Sequence, residues 1–159
     1  VLRTLNDVHP LEKPLYNLIQ LADKKHHYTM GRLGDLSEPM AVKDFAEYCK
    51  QVFHVSGLRV IARDLEQPVQ RVAVLGGDGG KFFPLAKQKG ADVYVTGDVY
   101  YHTGHDMLAA NLPVIDPGHH IEAICIPRLA EMFKRWSAEN NWSIDIYQST
   151  INTDPYTFM

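Results

Sequence analysis

The stretch Val114-Ile115-Asp116-Pro117-Gly118-His119-His120-Ile121-Glu122 decides how this chain is read: a short apolar run stops abruptly and delivers an acid, two histidines and a second acid within seven positions. A β-branched pair that runs into Pro-Gly reads as a strand end. If a helix begins near Gly118, His119 and Glu122 lie three apart on one face, where an imidazole nitrogen and a carboxylate can converge on one ion. The same residues also suit an ordinary helix N-terminus, with Asp116 as its cap and Glu122 favoured by the helix dipole. Spacing alone leaves both readings standing.

Working back along the chain, Asp92-Val93-Tyr94-Val95-Thr96 reads as a strand closed by Gly97-Asp98, and a helical stretch from Val99 to Ala110 leads from it to Val114. Before it, Arg71-Val72-Ala73-Val74-Leu75 is a strand that ends in Gly76-Gly77-Asp78-Gly79-Gly80-Lys81 and passes into helical-looking Phe82-Phe83-Pro84-Leu85-Ala86-Lys87. Leu58-Arg59-Val60-Ile61-Ala62 is a further strand. Ser37-Glu38-Pro39 is a helix-start signal, and Val42, Phe45, Ala46, Cys49, Val52 and Phe53 recur at helical steps as one apolar stripe. Strands alternating with helices through short turns predict an α/β fold, with a mixed or largely parallel sheet flanked by helices and right-handed crossovers.

Sheets of this kind collect their chemistry outside the carboxyl ends of the strands. Three polar sets fall there: the glycine turn after Leu75, Asp98 with His102 after Thr96, and Asp116, His119 and Glu122 after Ile115. His102 and His105 are also three apart and form a rival metal pair, although each has a plainer reading as a helix-start hydrogen bond or an exposed residue. His102, one turn from its strand end, is the one expected to face the pocket. Strand, glycine turn and helix in that order would let backbone N–H groups approach an anion. The detailed signatures fail, because Phe82 stands where a Walker loop needs a hydroxyl and where a dinucleotide fingerprint needs its third glycine. A tight turn that lets strand and helix, or a substrate, come close to backbone is the better reading.

Downstream, one helix is expected from Gly118 to about Glu139, with Ile124, Leu129, Met132, Phe133 and Trp136 as its buried stripe and Pro127 kinking or restarting it. Ser143-Ile144-Asp145-Ile146-Tyr147 alternates like a strand. Asn152-Thr153-Asp154-Pro155 reads as a structured turn.

Composition limits what this site can belong to. A chain of 159 residues, 45% hydrophobic and 22% charged, is the size of one domain with a sizeable core. The net charge of −3 and pI near 6.2, without a Lys/Arg block, argue against nucleic acid or an anionic membrane surface as the main partner. No apolar run approaches the roughly 20 residues of a membrane span. Cys49 and Cys125 both sit in apolar helical patterns and are expected to be buried free thiols, consistent with a cytoplasmic protein. Residues 1–30 are unlike the rest. Pro10 and Pro14 break any long period, so the segment reads as an irregular arm, and His26-His27 reads as a surface pair. The opening at Val1 rather than Met fits processing or truncation.

Taken in order, the glycine turn Gly76 to Gly80, Gly90-Ala91-Asp92-Val93-Tyr94-Val95-Thr96-Gly97-Asp98 with Tyr101-His102, Asp116-Pro117-Gly118-His119 with Glu122, and Asn152-Thr153-Asp154-Pro155 resemble the C-terminal portion of the NIF-three-like family, which includes the GTP cyclohydrolase I type 2 homologues. The resemblance covers residues 31–159 as a NIF-three-like C-terminal α/β domain. The arm of residues 1–30 is similar to the end of the extra domain that some members insert between their halves. The resemblance implies pairing with an N-terminal half, assembly into a ring-shaped homo-oligomer, and two divalent metal ions of the zinc, iron or manganese class in a cleft between halves. By motif, His119 and Glu122 are the metal ligands from this half, with Asp98, His102 and Asp116 around them. The remaining ligands, an adjacent histidine pair and an aspartate, have no match in this sequence, so the chain is expected to carry half of a dinuclear site. The implied activity is metal-dependent hydrolysis, compatible with cyclohydrolase chemistry on a purine nucleotide and equally with phosphoester or amide hydrolysis, with a nucleotide or phosphoester as the candidate substrate. The alternative is a non-catalytic metal-binding or regulatory scaffold that acts through its assembly.

Overall fold

The computed structural model describes residues 2–11, 14–19 and 29–158, so the His26-His27 pair lies outside the described residues. The chain order is α1 (Leu2–Val8), β1 (Arg32–Ala41), α2 (Val42–Phe53), β2 (Arg59–Ile61), β3 (Pro68–Asp78), a 3-10 turn (Gly80–Phe82), α3 (Phe83–Gln88), β4 (Val93–Gly97), α4 (Tyr101–Ala109), β5 (Val114–Asp116), a 3-10 helix (His119–Ile124) and α5 (Cys125–Glu139). The strands form one five-stranded sheet in the order β1-β3-β4-β5-β2. The three inner strands β3, β4 and β5 are parallel, and the two edge strands run antiparallel to their neighbours. The sheet is therefore mixed and flanked by helices, as the alternation of elements predicts.

Strand β4 shows why the sheet forms where it does. All five of its residues are buried, as a central strand covered on both faces requires. Val93, Val95 and Ile115 point to the side of α2 and pack with Val42, Phe45, Ala46 and Cys49. Tyr94 and Val114 point to the other side, with Ala86, Val99, Met107 and Leu112. The two-residue period of the strands thus splits the apolar residues between two cores.

Several expectations are corrected. Ser37-Glu38-Pro39 starts no helix; it lies inside β1, which pairs with β3 through a register shift between Asp35 and Met40. Pro39 is tolerated there because an edge strand does not need every N–H in the ladder. The single helix expected from Gly118 is a 3-10 helix followed by α5, which Pro127 can join only in its first turn. Within α5 only Ala130 is buried, while Met132 and Trp136 are half-buried and Ile124, Leu129 and Phe133 stand exposed nearby or along it. Periodicity identifies an amphipathic face but cannot supply the surface that covers it. Cys125 is exposed and only Cys49 is buried, where desolvation pushes its thiol up to about 12. Ser143 to Tyr147 forms no strand, and Ile144 and Tyr147 are exposed: the segment pairs with neither edge of the sheet, and alternation alone makes no ladder.

The N-terminal arm, expected to be irregular, contains the helix α1, because Pro10 limits a helix only from its own position onward; the structured turn expected in the tail is present. Asn152 Oδ1 accepts the Asp154 N–H at 2.9 Å and Asp154 Oδ1 accepts the Tyr156 N–H at 3.0 Å, two successive Asx turns in the tail. Beyond them the Phe158 ring lies against Gly57, where a Cβ would come within 2.7 Å of it. Among the described residues no helix is long and apolar enough to cross a membrane.

The contrast between sheet and last helix is measurable. Ile115 is 0% exposed and Phe133 46% exposed. Ile115→Ala is expected to cost about 2–5 kcal/mol in denaturant unfolding, through lost burial and a residual cavity. Phe133→Ser should stay within about 0.5 kcal/mol. Equal losses in both would contradict this assignment of the core.

Candidate functional site

Three parallel strands bring Asp78, Gly97 with Asp98, and Asp116 to one rim, and antiparallel β2 adds Arg59, which pairs with Asp116 across the ladder. Asp116 is only 2% exposed. Its Oδ2 accepts the Val99 N–H at 3.0 Å and a guanidinium hydrogen of Arg59, and its Oδ1 accepts the Gly118 N–H at 3.0 Å. A carboxylate so enclosed and so fully engaged holds the rim together and is not free to bind a ligand.

The turn that Asp116 holds leads into the site. Gly118 has φ +89, and its backbone lies so close to Gly97 that a Cβ on Gly97 would stand 2.7 Å from the Gly118 carbonyl carbon. The chain then enters the 3-10 helix, in which residues three apart eclipse one another, so His119 and Glu122 face each other more squarely than in an α-helix. His119 Nε2 is 3.3 Å from Glu122 Oε2, and His119 Nδ1 is 2.7 Å from Asp98 Oδ2. Asp98 reaches it from the left-handed region, φ +54, a conformation that aspartate tolerates better than most residues.

The glycine turn closes the third side. Gly77 has φ +64, and a Cβ there would meet Glu122 Oε1 at 2.8 Å and His119 Nε2 at 3.2 Å. The bare backbone of Gly77 is therefore the wall of a small cradle next to both donor atoms. Asp78 adds negative charge near His119. Gly77 and Asp78 belong to the glycine turn that the sequence places on this rim, although the run pointed as well to a simple turn and did not distinguish these two within it.

His119 is drawn above its ordinary value of 6.5, first by the hydrogen bond to Asp98 and then by the charges of Asp98, Glu122 and Asp78, with desolvation opposing them. If Nδ1 carries the proton shared with Asp98, Nε2 presents a lone pair to the Glu122 carboxylate. Two such acceptors 3.3 Å apart repel unless a proton or a cation stands between them. A tetrahedral ion with bonds of about 2.0–2.2 Å separates two of its ligands by about 3.3 Å, so the pair suits one metal. Among the described residues no group of three or more His, Cys, Asp or Glu side chains is arranged to hold a metal.

His102 is exposed on the first turn of α4, with its ring edge-on to Tyr101 at 5.4 Å. His105 packs against the same tyrosine at 4.7 Å. Among the described residues neither hydrogen-bonds to His119, Asp98 or Glu122. The expected sites thus divide: Asp98, His119 and Glu122 meet, Asp116 braces them from behind, and the two α4 histidines gather around Tyr101.

A family model described as Duf34/NIF3 (NGG1p interacting factor 3) matches residues 4–155. A GTP cyclohydrolase 1 type 2 homolog of Halalkalibacterium halodurans is 42% identical over 151 residues, which are 95% of this chain and 40% of that protein. The Bacillus subtilis protein of the same name is 36% identical over 159 residues, 100% of this chain and 42% of its own length. Among solved structures, a Bacillus cereus protein related to NIF3 superposes with a TM-score of 0.84 at 38% identity, covering 99% of this chain and 43% of that one. The chain thus spans less than half the length of the relatives it matches.

The hydrogen bond at His119 has a defined pH signature. Because its folded value is raised, the stability it contributes is complete below the ordinary 6.5 and is lost as pH rises through the folded value. The effect on stability is small, since the ring is half exposed and screened by water. An NMR titration of the His119 imidazole should give a midpoint above 6.5, and Asp98→Asn should bring it down. A midpoint indifferent to that substitution would rule out the Asp98 hydrogen bond as the cause.

Proposed function

The chain belongs to the Duf34/NIF3 family, and from that premise we propose that it is the divalent-metal-binding domain of a metal-dependent hydrolase, carrying His119 and Glu122 as its share of a dinuclear site. The observation that carries this reading is the pair of donor atoms facing each other at 3.3 Å, with His119 Nδ1 already held by Asp98. A carboxylate on the far ring nitrogen fixes the tautomer and aims Nε2, the arrangement usual behind metal-binding histidines. One imidazole and one carboxylate suit zinc, iron or manganese. Gly77 leaves the space beside them clear of any side chain.

When bound, two such ions would polarise a water and clamp an oxygen-rich substrate. The residues of this chain would orient that centre: Asp98 holds His119, Asp116 holds the turn before it, and Asp78 adds negative charge that favours cations. The names of the relatives, GTP cyclohydrolase 1 type 2 homologs, suggest a purine nucleotide or another phosphoester as the substrate class. The missing donors would come from the rest of a longer protein. The exposed apolar residues Ile124, Leu129 and Phe133 are compatible with the ring-shaped homo-oligomer that the family resemblance implies, and they are also what a scaffold acting through assembly would display. An exposed free thiol at Cys125 suits the reducing cytoplasm.

Metal analysis of this chain beside a longer protein that includes the N-terminal half tests the proposal. Metal should be tight in the longer protein and weak in this chain. His119→Ala should lower affinity in the longer protein by more than the about 10–100-fold typical of losing an outer partner, and abolish hydrolysis of nucleotides or phosphoesters. Full metal occupancy in His119→Ala would sink the ligand assignment, and metal without hydrolysis across a nucleotide and phosphoester panel would favour the scaffold.

A further inference from the structure

The glycine turn that walls the donor pair is itself seated on two buried hydroxyls of β4. Thr96 is fully buried; its hydroxyl donates to the Gly77 carbonyl at 3.1 Å and accepts the Gly79 N–H at 2.9 Å. The Gly79 N–H also reaches the Gly77 carbonyl at 3.0 Å, so the three groups close a ring on the left-handed Gly77. Two residues back on the same face of the strand, the Tyr94 hydroxyl donates to the Gly79 carbonyl at 2.9 Å. There is no slack between turn and strand, since a Cβ on Gly79 would collide with the Thr96 hydroxyl and lie 2.6 Å from that of Tyr94.

The opposite side of this turn is the wall at Gly77, where a Cβ would be 2.8 Å from Glu122 Oε1 and 3.2 Å from His119 Nε2. A buried hydroxyl in a strand otherwise made of Val, Tyr and Gly is costly unless its hydrogen bonds are made, and valine would fill the same volume without that demand. We infer that Thr96 is a positioning residue for the His119–Glu122 pair: its hydroxyl sets how far Gly77 stands from the two donors, and so the space open to an ion. The role rests on reading those two residues as metal donors. Thr96 acts through the turn and touches no ligand itself.

The test runs equilibrium dialysis with cobalt(II) or zinc(II) alone on the longer protein that includes the N-terminal half, where metal is expected to be tight, and follows Gly79 amide exchange by NMR on this chain with EDTA present. Thr96→Val removes the hydroxyl and keeps the shape; it should weaken metal binding about 10–100-fold, as loss of an outer partner does, and speed Gly79 exchange. Thr96→Ser should restore both toward wild type. Val69→Ala, in the core on the α2 side of the sheet, should lower stability without moving metal affinity. The inference is overturned if Thr96→Val keeps wild-type affinity, if Thr96→Ser behaves like Thr96→Val, or if Val69→Ala loses metal equally. Absence of metal uptake by both the wild-type chain and the longer protein would remove the metal reading and this role with it. That failure is distinguishable, because Gly79 protection would still be present in wild type and lost in Thr96→Val.

Discussion

The buried carboxylate of Asp116 is the constraint on which the rim depends. A charge taken out of water is tolerated only when its hydrogen bonds are replaced, and here Val99, Gly118 and Arg59 replace them from three different segments. One side chain thereby joins the end of β5, the edge strand β2, the connection into α4 and the turn that leads to His119. The position of His119 is therefore tied to the sheet, even though the imidazole itself is half exposed. A loop histidine without such an anchor would sample many orientations and make a poor ligand.

The rest of the site is built largely from backbone. Gly97 lets the Gly118 turn lie against the end of β4, and Gly77 lets the turn after β3 approach His119 and Glu122. Each contact is closer than any side chain would permit. Thr96 and Tyr94 then hold the glycine turn from the strand side. Few polar side chains are needed when two stretches of chain can be brought this close, and the few that are present, Asp98, His119 and Glu122, are placed by neighbours that are themselves fixed.

Other surfaces are less complete. Ile124, Leu129 and Phe133 present apolar groups to solvent, and Trp142, Ile144 and Tyr147 continue the exposure past the helix. The relatives are more than twice as long as the matched region, with this chain covering 40% of one and 42% of another. The last helix is amphipathic and yet Ala130 is its one buried residue.

The sequence by itself determined the strands at β3, β4 and β5, their order along the chain, the stripe of α2, and the concentration of ligand-grade residues at Asp98 and from Asp116 to Glu122. These are legible because period and turn residues are local, and because parallel strands must send their carboxyl ends to one rim. Tertiary structure alone decided which of those residues meet. It turned Asp116 inward as a brace, gathered His102 and His105 around Tyr101, and set His119 over Glu122 by winding the turn as a 3-10 helix instead of an α-helix. It also made β1 from a segment that carries a helix-start signal, because the edge of β3 offered it a ladder. Pairing, burial and the approach of one backbone to another depend on segments distant in the chain, and no local pattern of residues records them.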